Sequence, residues 1–365
     1  MTLHYYFARR YAAAFIGVFT TIFLVLALVD LVEQGRRFDG SDASFGNVVV
    51  LTLLNVPESA YRVLPLVAIL SAIALFVALS RSSEMVVARA SGRSALTCIL
   101  SPVCIAILFG TLGVAIMNPI VAATSKQFDA LADRLLDTRS SVLSVGPEGL
   151  WLRDGDATGQ TVIRAARANF DATRLTQVTF LEFDADGLPS RRLEADRAAL
   201  RAGSWELSDV KLWSFAGTVN PEAEATVEST YILPTELTRE KISDSFGTPS
   251  AIPIWELPAF IQQLETAGFS ARQHRVWLQM ELAMPLLLGA MVLVAAGFTL
   301  RPARFGQTGL MVMLALLLGF TLYFVRNFSQ ILGENGQIPV ALAAWGPTVA
   351  TLLLPLGLLL HLEDG

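Results

Sequence analysis

Six long stretches almost without charge constrain this chain more than any other feature. A helix needs about 20 mainly apolar residues to cross the hydrocarbon core of a bilayer, because each residue adds about 1.5 Å. The stretches cover about residues 11–32, 56–79, 95–120, 276–300, 308–328 and 339–360. They predict an α-helical membrane protein with six transmembrane helices, three before and three after a long polar region.

Composition agrees with this prediction and excludes an ordinary soluble enzyme. The chain is 53% hydrophobic and 16% charged, whereas soluble domains carry roughly a quarter charged residues. The net charge of −5 argues against a basic surface for nucleic acid. The first apolar stretch is too long for a cleavable signal peptide, so we expect it to remain as a span.

Arginines in the short loops indicate how the helices are oriented. With the amino terminus inside the cell, the inner segments hold seven arginines and the opposite short loops hold two. Because inner loops carry an excess of Lys and Arg, we expect both termini in the cytoplasm and the long central region outside. The inner residues are Arg9, Arg10, Arg81, Arg89, Arg93, Arg301 and Arg304, and the outer ones are Arg36 and Arg37.

The central region replaces long apolar stretches with a two-residue alternation of apolar and polar side chains. Short alternating segments separated by turns rich in Gly and Asp are typical of an antiparallel sandwich, jelly roll or related all-β domain. The alternating segments are 149–153, 160–163, 178–183 and 205–210, and a short amphipathic helix is predicted at 255–265. The expected domains are transmembrane helices 1–3 (1–124), an inserted jelly-roll-like β-domain with flanking helices (125–272) and transmembrane helices 4–6 (273–365).

Several kinds of chemistry have no motif in this sequence. None of the three lysines stands in a glycine-rich phosphate loop, so ATP hydrolysis by that route is not expected. The three histidines are far apart and lack the spacing of metal ligands. The predicted spans are almost uncharged at their centres, which argues against proton-driven transport. We expect no catalytic residue, metal or cofactor in this chain, and energy must come from elsewhere.

The segment between the second and third spans predicts a short helix at the cytoplasmic face, at about residues 82–92. A serine at 82 or 83 can cap its start, Glu84 suits its first turn, and Gly92 suits its end. Composition alone favours an interfacial surface helix, and a helix that docks into a groove of a motor protein is the alternative.

The order and spacing of several short motifs resemble the LptF/LptG family of permeases, which export lipopolysaccharide from the bacterial inner membrane. Residues 84–92 are similar to the coupling-helix motif of that family, and the local phrases are closer to its LptG branch than to its LptF branch. The arrangement of three spans on each side of the outer domain also agrees. The other similar phrases are Arg10-Tyr11, Val32 to Arg37, Val56-Pro57, Leu64-Pro65, Gly149 to Trp151 and Asp154-Gly155.

The resemblance implies a permease subunit of an ABC transporter that passes lipopolysaccharide to a periplasmic bridge. It implies three partners: a second, LptF-like permease, a homodimeric LptB-like ATPase that binds ATP and magnesium, and a membrane-anchored LptC-like bridge protein. The outer domain is then a periplasmic jelly roll. The coupling helix of the family docks on the ATPase, a role that falls here to Ser83, Glu84, Met85, Val86, Arg89, Ala90 and Gly92.

Arginines near the outer ends of the spans are candidate ligands of a phosphorylated lipid head group. Their guanidinium groups stay charged and can bind phosphate bidentately. Interfacial snorkelling or local pairing, such as Arg62 with Glu58, is the alternative explanation. The candidates are Arg36, Arg37, Arg62, Arg134, Arg139 and Arg326. Asp30 and Glu58 stand where relatives often carry a basic residue, so the head-group contacts are expected to differ.

By analogy with the family, the first and fifth spans form a lateral gate to an acyl-chain cavity. The candidate cavity residues are Phe23, Leu26, Leu314, Leu318 and Phe320, although any lipid-facing helix shows such a stripe. A non-transporting membrane anchor or regulator, whose β-domain binds a periplasmic partner, is the alternative function. Permeases with four spans usually place the outer domain between spans one and two, so they fit this chain less well.

Overall fold

The structure, a computed structural model, divides into a helical unit and a β unit. The helical unit comprises Met1–Leu135, Pro253–Trp255 and Arg272–Gly365, and the β unit comprises Leu136–Ile252 and Glu256–Ala271. The described residues are 2–38, 44–82, 84, 94–135, 143–146, 149–156, 159–168, 173–184, 187–201, 203–215, 220–235, 237–238, 242, 248–266, 270–299 and 308–364.

In its described residues, the helical unit contains six helices that are long and apolar enough to cross a membrane. This confirms the predicted number of spans and their distribution around the β region. The helices of the chain are α1 (Thr2–Arg37), α2 (Phe45–Arg62), α3 (Leu64–Arg81), α4 (Ala95–Leu112), α5 (Asn118–Leu135), α6 (Leu257–Thr266), α7 (Arg272–Thr299), α8 (Thr308–Glu334) and α9 (Val340–Asp364). Only α6, which confirms the helix predicted near 255–265, belongs to the β unit.

The second predicted span differs from the structure, because two helices meet at Val63. The backbone of Val63 leaves helical geometry, with φ −92° and ψ 4°. Pro65 follows in the first turn of α3, where its missing N–H costs no hydrogen bond of the helix. The span that was predicted at 56–79 is therefore α3, and α2 is a separate helix before it.

The third span is longer than predicted and contains a change of helix type. A π-helical turn, Gly113–Met117, joins α4 directly to α5. The helix α5 continues beyond the predicted end of the span near residue 120 and ends at Leu135. A π turn inserts an extra residue into the helix and changes the direction of every side chain after it, and such turns are frequent at functional sites.

The core of the helical unit lies around α3 and α7. In the most apolar 18-residue stretch of each helix, 61% of the residues of α3 and 78% of those of α7 are buried. The corresponding values are 6% for α1 and 17% for α8. The helix α1 packs on α2, α3 and α4, and α8 packs on α3, α7 and α9. Each of these two outer helices nevertheless leaves most of its apolar surface uncovered by the chain.

The β unit contains seven described strands in one antiparallel sheet, which confirms an inserted all-β domain. The strands are β1 (Leu143–Gly146), β2 (Gly149–Asp156), β3 (Gly159–Ala168), β4 (Arg174–Phe183), β5 (Pro189–Arg201), β6 (Ser204–Ser214) and β7 (Thr226–Pro234). They follow one another in chain order across the sheet. This order is an up-and-down meander, whereas a jelly roll has the crossed order of Greek keys.

The sheet bends along one row of residues. Strand pairing is interrupted in four successive ladders at a row formed by Ala166, Gln177, Asp196, Asp209 and Ser229. Gln177 and Asp209 both have positive φ values, 53° and 54°. The buried positions of a strand also change from odd to even residue numbers on crossing this row, as the pattern of β6 shows.

A ring contact demonstrates the bend. Phe180 pairs with Leu193 of β5 and Trp205 pairs with Leu200 of the same strand, so a flat sheet would separate the two rings by about 20 Å along that strand. Their ring centroids are 6.0 Å apart, in an edge-on arrangement. The two halves of the meander therefore enclose a common core, so the β-domain is a single folded sheet, which belongs to the related all-β forms that were expected beside a sandwich and a jelly roll.

Candidate functional site

Glu84 follows the end of α3 and is held by the start of α1. Its carboxylate accepts a hydrogen bond from the Tyr6 hydroxyl at 2.8 Å and two from Arg10 Nη1, at 3.1 and 3.2 Å. The Arg10 guanidinium also lies 5.0 Å from the centre of the Tyr6 ring. Glu84 was predicted to contact a motor protein. The structure shows that it is hydrogen-bonded to the beginning of the first span.

These donors also set the charge of Glu84. Partial burial favours a raised pKa for its carboxyl group, but hydrogen bonds from Tyr6, Ser82 and Arg10 outweigh burial and lower the pKa below its ordinary value. Glu84 is therefore an anion at neutral pH. The other residues predicted for this helix, Ser83, Met85, Val86, Arg89, Ala90 and Gly92, lie outside the described residues.

The opposite end of α1 carries two of the predicted head-group ligands. Arg36 and Arg37 lie in the last turn of α1 and are exposed. The Arg37 guanidinium lies 6.0 Å from the ring of Phe128 on α5. The buried Phe38 packs with Leu51 of α2 and with the apolar face of α5, and this cluster fixes the position of both arginines relative to α2 and α5.

Arg62 ends α2 and pairs locally. Its Nη2 atom lies 2.5 Å from Glu58 Oε1, one helical turn earlier, and its side chain is 63% exposed. The other oxygen of Glu58 accepts a hydrogen bond from Ser125 of α5 at 3.1 Å. The local pairing considered as an alternative for Arg62 is therefore present. The side chain of Arg134, on α5, and the whole of Arg139 lie outside the described residues.

Asp30 joins α1 to α2. One of its carboxylate oxygens accepts hydrogen bonds from Asn55 at 2.7 Å and from Gln34 at 3.3 Å. At the position where a basic residue was expected in relatives, Asp30 therefore serves as a contact between helices.

The five predicted cavity residues lie on α1 and α8, the two helices that the chain covers least. Phe23, Leu26, Leu314 and Leu318 are half-buried, and Phe320 is exposed. Beside them α8 exposes a row of large apolar side chains at intervals of three or four residues, which is the spacing of one helix face. The row consists of Leu310, Met313, Leu317, Phe320, Phe324, Phe328 and Ile331.

A buried polar cluster lies among the helices, and the sequence did not predict it. The Tyr61 hydroxyl donates a hydrogen bond to Glu281 Oε2 of α7. The side chain of Asn118, the first residue of α5, lies within interaction distance of both groups, and Arg326 of α8 is close enough for its charge to act on both. Glu281 is 1% exposed and Arg326 is 9% exposed. Arg326, a predicted head-group ligand, is thus placed apart from the exposed arginines.

Comparison with known proteins matches residues 5–361 to the family "Lipopolysaccharide export system permease LptF/LptG". The chain belongs to the LptF/LptG family. Two relatives are the proteins named "Lipopolysaccharide export system permease protein LptG" from Escherichia coli strains K12 and O6:H1 CFT073. Each is 26% identical over 357 residues, covering 94% of this chain and 96% of the relative. These matches confirm the family resemblance and its closeness to LptG.

The LptF/LptG match includes the β unit as well as all six candidate spans. The inserted β unit is therefore part of the family's architecture. Among the described residues, no group of three or more His, Cys, Asp or Glu side chains could hold a metal ion. In the described part of the chain, the candidate functional groups are Glu84, the exposed arginines and the uncovered apolar faces of α1 and α8.

The sequence contained one signal for the buried cluster. A glutamate at position 281 inside an apolar helix is expensive unless it has a partner. Its partner Tyr61 lies 220 residues away in the chain, so no local pattern could identify it.

Proposed function

We propose that this chain is the permease subunit of an ABC transporter that extracts lipopolysaccharide from the inner membrane and passes it to a periplasmic protein bridge. The observation that carries this proposal is the uncovered apolar surface of α1 and α8. Two helices that both contact α3 and expose this much apolar surface can border a cavity for acyl chains. The chain itself is non-catalytic, and a separate subunit hydrolyses ATP.

The proposal includes three protein partners. A second, LptF-like permease completes the cavity, a homodimeric LptB-like ATPase binds ATP and magnesium in the cytoplasm, and an LptC-like protein begins the bridge. Both termini are then cytoplasmic and the β unit is periplasmic. No nucleic acid is involved. This arrangement is supported by membership of the LptF/LptG family and by the excess of arginine in the predicted inner loops.

The exposed arginines supply the charge that a phosphorylated head group requires. Arg36 and Arg37 extend beyond the apolar part of α1, where guanidinium groups can bind phosphate bidentately. The ion pair of Arg62 with Glu58 does not prevent such a contact, because an exposed pair of this spacing contributes only about 0.3–0.5 kcal/mol. A phosphate can therefore replace Glu58 as the partner of Arg62.

Glu84 is the point at which the ATPase acts on the permease. Its position next to Arg10 and Tyr6 means that a force on Glu84 reaches the start of α1 directly. Closure of the ATPase dimer then moves α1 towards the second permease and narrows the cavity. Lipid leaves the cavity towards the β unit, and the described residues of the chain supply no chemical step.

Co-purification and substitution of Glu84 test this proposal. The full-length chain is purified in mild detergent with its partners, and ATP hydrolysis and lipopolysaccharide release are measured for Glu84→Lys and for the control Arg9→Gln. We expect Glu84→Lys to uncouple hydrolysis from release and the control to behave as the wild type. Unchanged release with Glu84→Lys would contradict the coupling role, and a complex that holds a periplasmic partner but no ATPase would favour a membrane anchor.

A further inference from the structure

Asp30 and Gln34 form a polar patch on α1, where this helix packs against α2. One oxygen of the Asp30 carboxylate, Oδ1, accepts hydrogen bonds from Asn55 Nδ2 at 2.7 Å and from Gln34 Nε2 at 3.3 Å. Asp30 and Gln34 are four residues apart, so they lie on the same face of the helix. The patch therefore brings two amide groups, one from each helix, to a single carboxylate.

Two oxygen atoms of this patch are buried without a partner. No described residue donates a hydrogen bond to Asp30 Oδ2 or to Gln34 Oε1, and both atoms are inaccessible to solvent. The whole of Gln34 is only 3% exposed. Because buried polar atoms are nearly always hydrogen-bonded or bound to an ion, two unsatisfied acceptors on neighbouring side chains indicate a ligand beside them.

The Asp30 carboxylate also has no basic partner in the described part of the chain. None of the ion pairs within 4.0 Å includes Asp30, and its hydrogen bonds come from neutral amides. Arg36, the next arginine on α1, lies six residues further on, about 9 Å along the helix axis. A carboxylate at the edge of the hydrocarbon core needs an opposite charge. A water molecule could donate to both free oxygens but brings no charge, whereas a cation supplies both needs.

The ligand atoms indicate which kind of cation fits. Carboxylate and amide oxygens are hard ligands of the kind that Ca²⁺ and Mg²⁺ prefer. With one carboxylate and one amide, the patch differs from a cluster of three or more His, Cys, Asp or Glu side chains, of which the described residues contain none. Asp30 and Asn55 are only half-buried, which leaves a route of entry for a small ion. A single carboxylate gives low affinity, with a Kd of about 10⁻⁴–10⁻³ M.

We propose that Asp30 Oδ2 and Gln34 Oε1 bind a hard divalent cation, Ca²⁺ or Mg²⁺, at the contact between α1 and α2. Asn55 orients the Asp30 carboxylate for the ion, and water molecules complete its coordination shell. A divalent ion has twice the charge of one carboxylate, so the occupied site is positive. If the outer end of α1 binds a phosphorylated head group, a consequence that rests on the proposed function, the ion adds to the charge of Arg36 and Arg37.

Mn²⁺ tests this site without lipopolysaccharide or partner proteins, because it takes the same oxygen ligands and broadens the signal of a nearby spin label. The label is placed at the exposed Val32 of the full-length chain in nanodiscs of zwitterionic lipid, after Cys98 and Cys104 have been replaced by alanine. We expect Mn²⁺ at about 1 mM to remove roughly half of this signal, and excess Ca²⁺ to restore it. A label at Tyr5, about 38 Å from Asp30 along the same helix, should be unaffected.

Two substitutions that each remove one carboxylate distinguish this site from a general attraction of cations to acidic residues. Asp30→Asn keeps an oxygen for the hydrogen bond from Asn55 and should abolish the effect of Mn²⁺ on the Val32 label. Glu33→Gln changes an exposed glutamate of the same helix and should leave the effect in place. No effect of Mn²⁺ on the wild type, or the same effect in both variants, would overturn the proposal and leave water as the partner of the two oxygens.

A gain of affinity tests the second ligand. Gln34→Glu places a second carboxylate beside Asp30, and the affinity of such sites rises with the charge of their ligands. We expect this variant to lower the Kd for Mn²⁺ about 10-fold, a result that damage to the fold cannot produce. Unchanged or weaker binding would contradict the role of Gln34 as a ligand. None of these measurements depends on transport, so failure here is distinct from failure of the proposed function.

Discussion

At the scale of single residues, the charge of Glu84 depends on its two neighbours on α1. Because Tyr6 and Arg10 help to lower its pKa, the contact is fully formed above the ordinary carboxyl range and is lost as the pH falls through the lowered value. We expect the distance between the start of α1 and the end of α3, measured with labels at the exposed residues Tyr5 and Arg81, to increase only at acidic pH.

Substitutions of Arg10 and Arg9 test whether the loss of the contact at acidic pH depends on the pKa of Glu84 or on a general effect of acid on the protein. In Arg10→Gln the pKa of Glu84 is lowered less, so the contact should be lost at a higher pH than in the wild type. Arg9→Gln changes an exposed arginine beside it and should leave the transition in place. A transition that is the same in all three proteins would show that Arg10 does not control the charge of Glu84.

Gly110 lies where α4 and α7 pack most closely. A methyl group on Gly110 would lie 2.6 Å from the Cα atom of Pro285, and backbone cannot move aside as a flexible side chain can. We expect Gly110→Ala to destabilise the protein by about 1–3 kcal/mol, seen as a lower melting temperature in detergent. Gly17→Ala, with no neighbouring atom within 4 Å, should have little effect, and an equal loss for both variants would contradict this account.

At the scale of the elements, the bend in the sheet depends on residues with positive φ. Asp209 adopts this conformation at φ 54°, which aspartate and asparagine tolerate and β-branched residues do not. We expect Asp209→Val to reduce the free energy of unfolding by about 1–2 kcal/mol, whereas Asp209→Asn should be nearly neutral. Thermal unfolding of the full-length chain measures both, and an equally stable valine variant would show that the bend does not need this residue.

The same bend explains which strands the sequence could predict. Alternation identified β2, β3, β4 and β6, and positive φ at Gly187 and Gly203 agrees with the turns predicted there. The strand β5 was not predicted, because it is rich in charge and its alternation breaks at Asp196. Its buried residues are Leu193 and Ala195 before the break and Ala198 after it, so no single period describes the strand.

In the helices, too, some features follow from the local sequence and others depend on contacts with distant residues. Length and lack of charge predicted all six spans, since crossing a bilayer constrains each span independently. The break at Val63 and the π turn were not predicted, because they depend on how neighbouring helices pack. The contacts of Glu84 and of Glu281 join residues 74 or more positions apart, and only the folded chain brings them together.

At the scale of the whole molecule, the proposed permease contributes surfaces and contacts, and the proposed ATPase partner supplies the energy. The surfaces lie on α1 and α8, and the contacts lie at the two ends of the helical unit. Arg36 and Arg37 lie at one end of α1, and Glu84 contacts the other end through Arg10. A single helix of 36 residues, about 54 Å long, therefore connects the proposed head-group site to the proposed site of ATPase action.

Photo-crosslinking of lipid in native membranes tests this claim most directly. A photoreactive amino acid replaces Phe23 of α1 or Phe320 of α8, and Leu354, an exposed residue of α9, serves as the control. We predict adducts with lipopolysaccharide at the first two positions that decrease when the ATPase partner hydrolyses ATP, and none at Leu354 beyond those formed by any bilayer lipid. Equal labelling at all three positions, unaffected by ATP, would contradict a lipid path between α1 and α8.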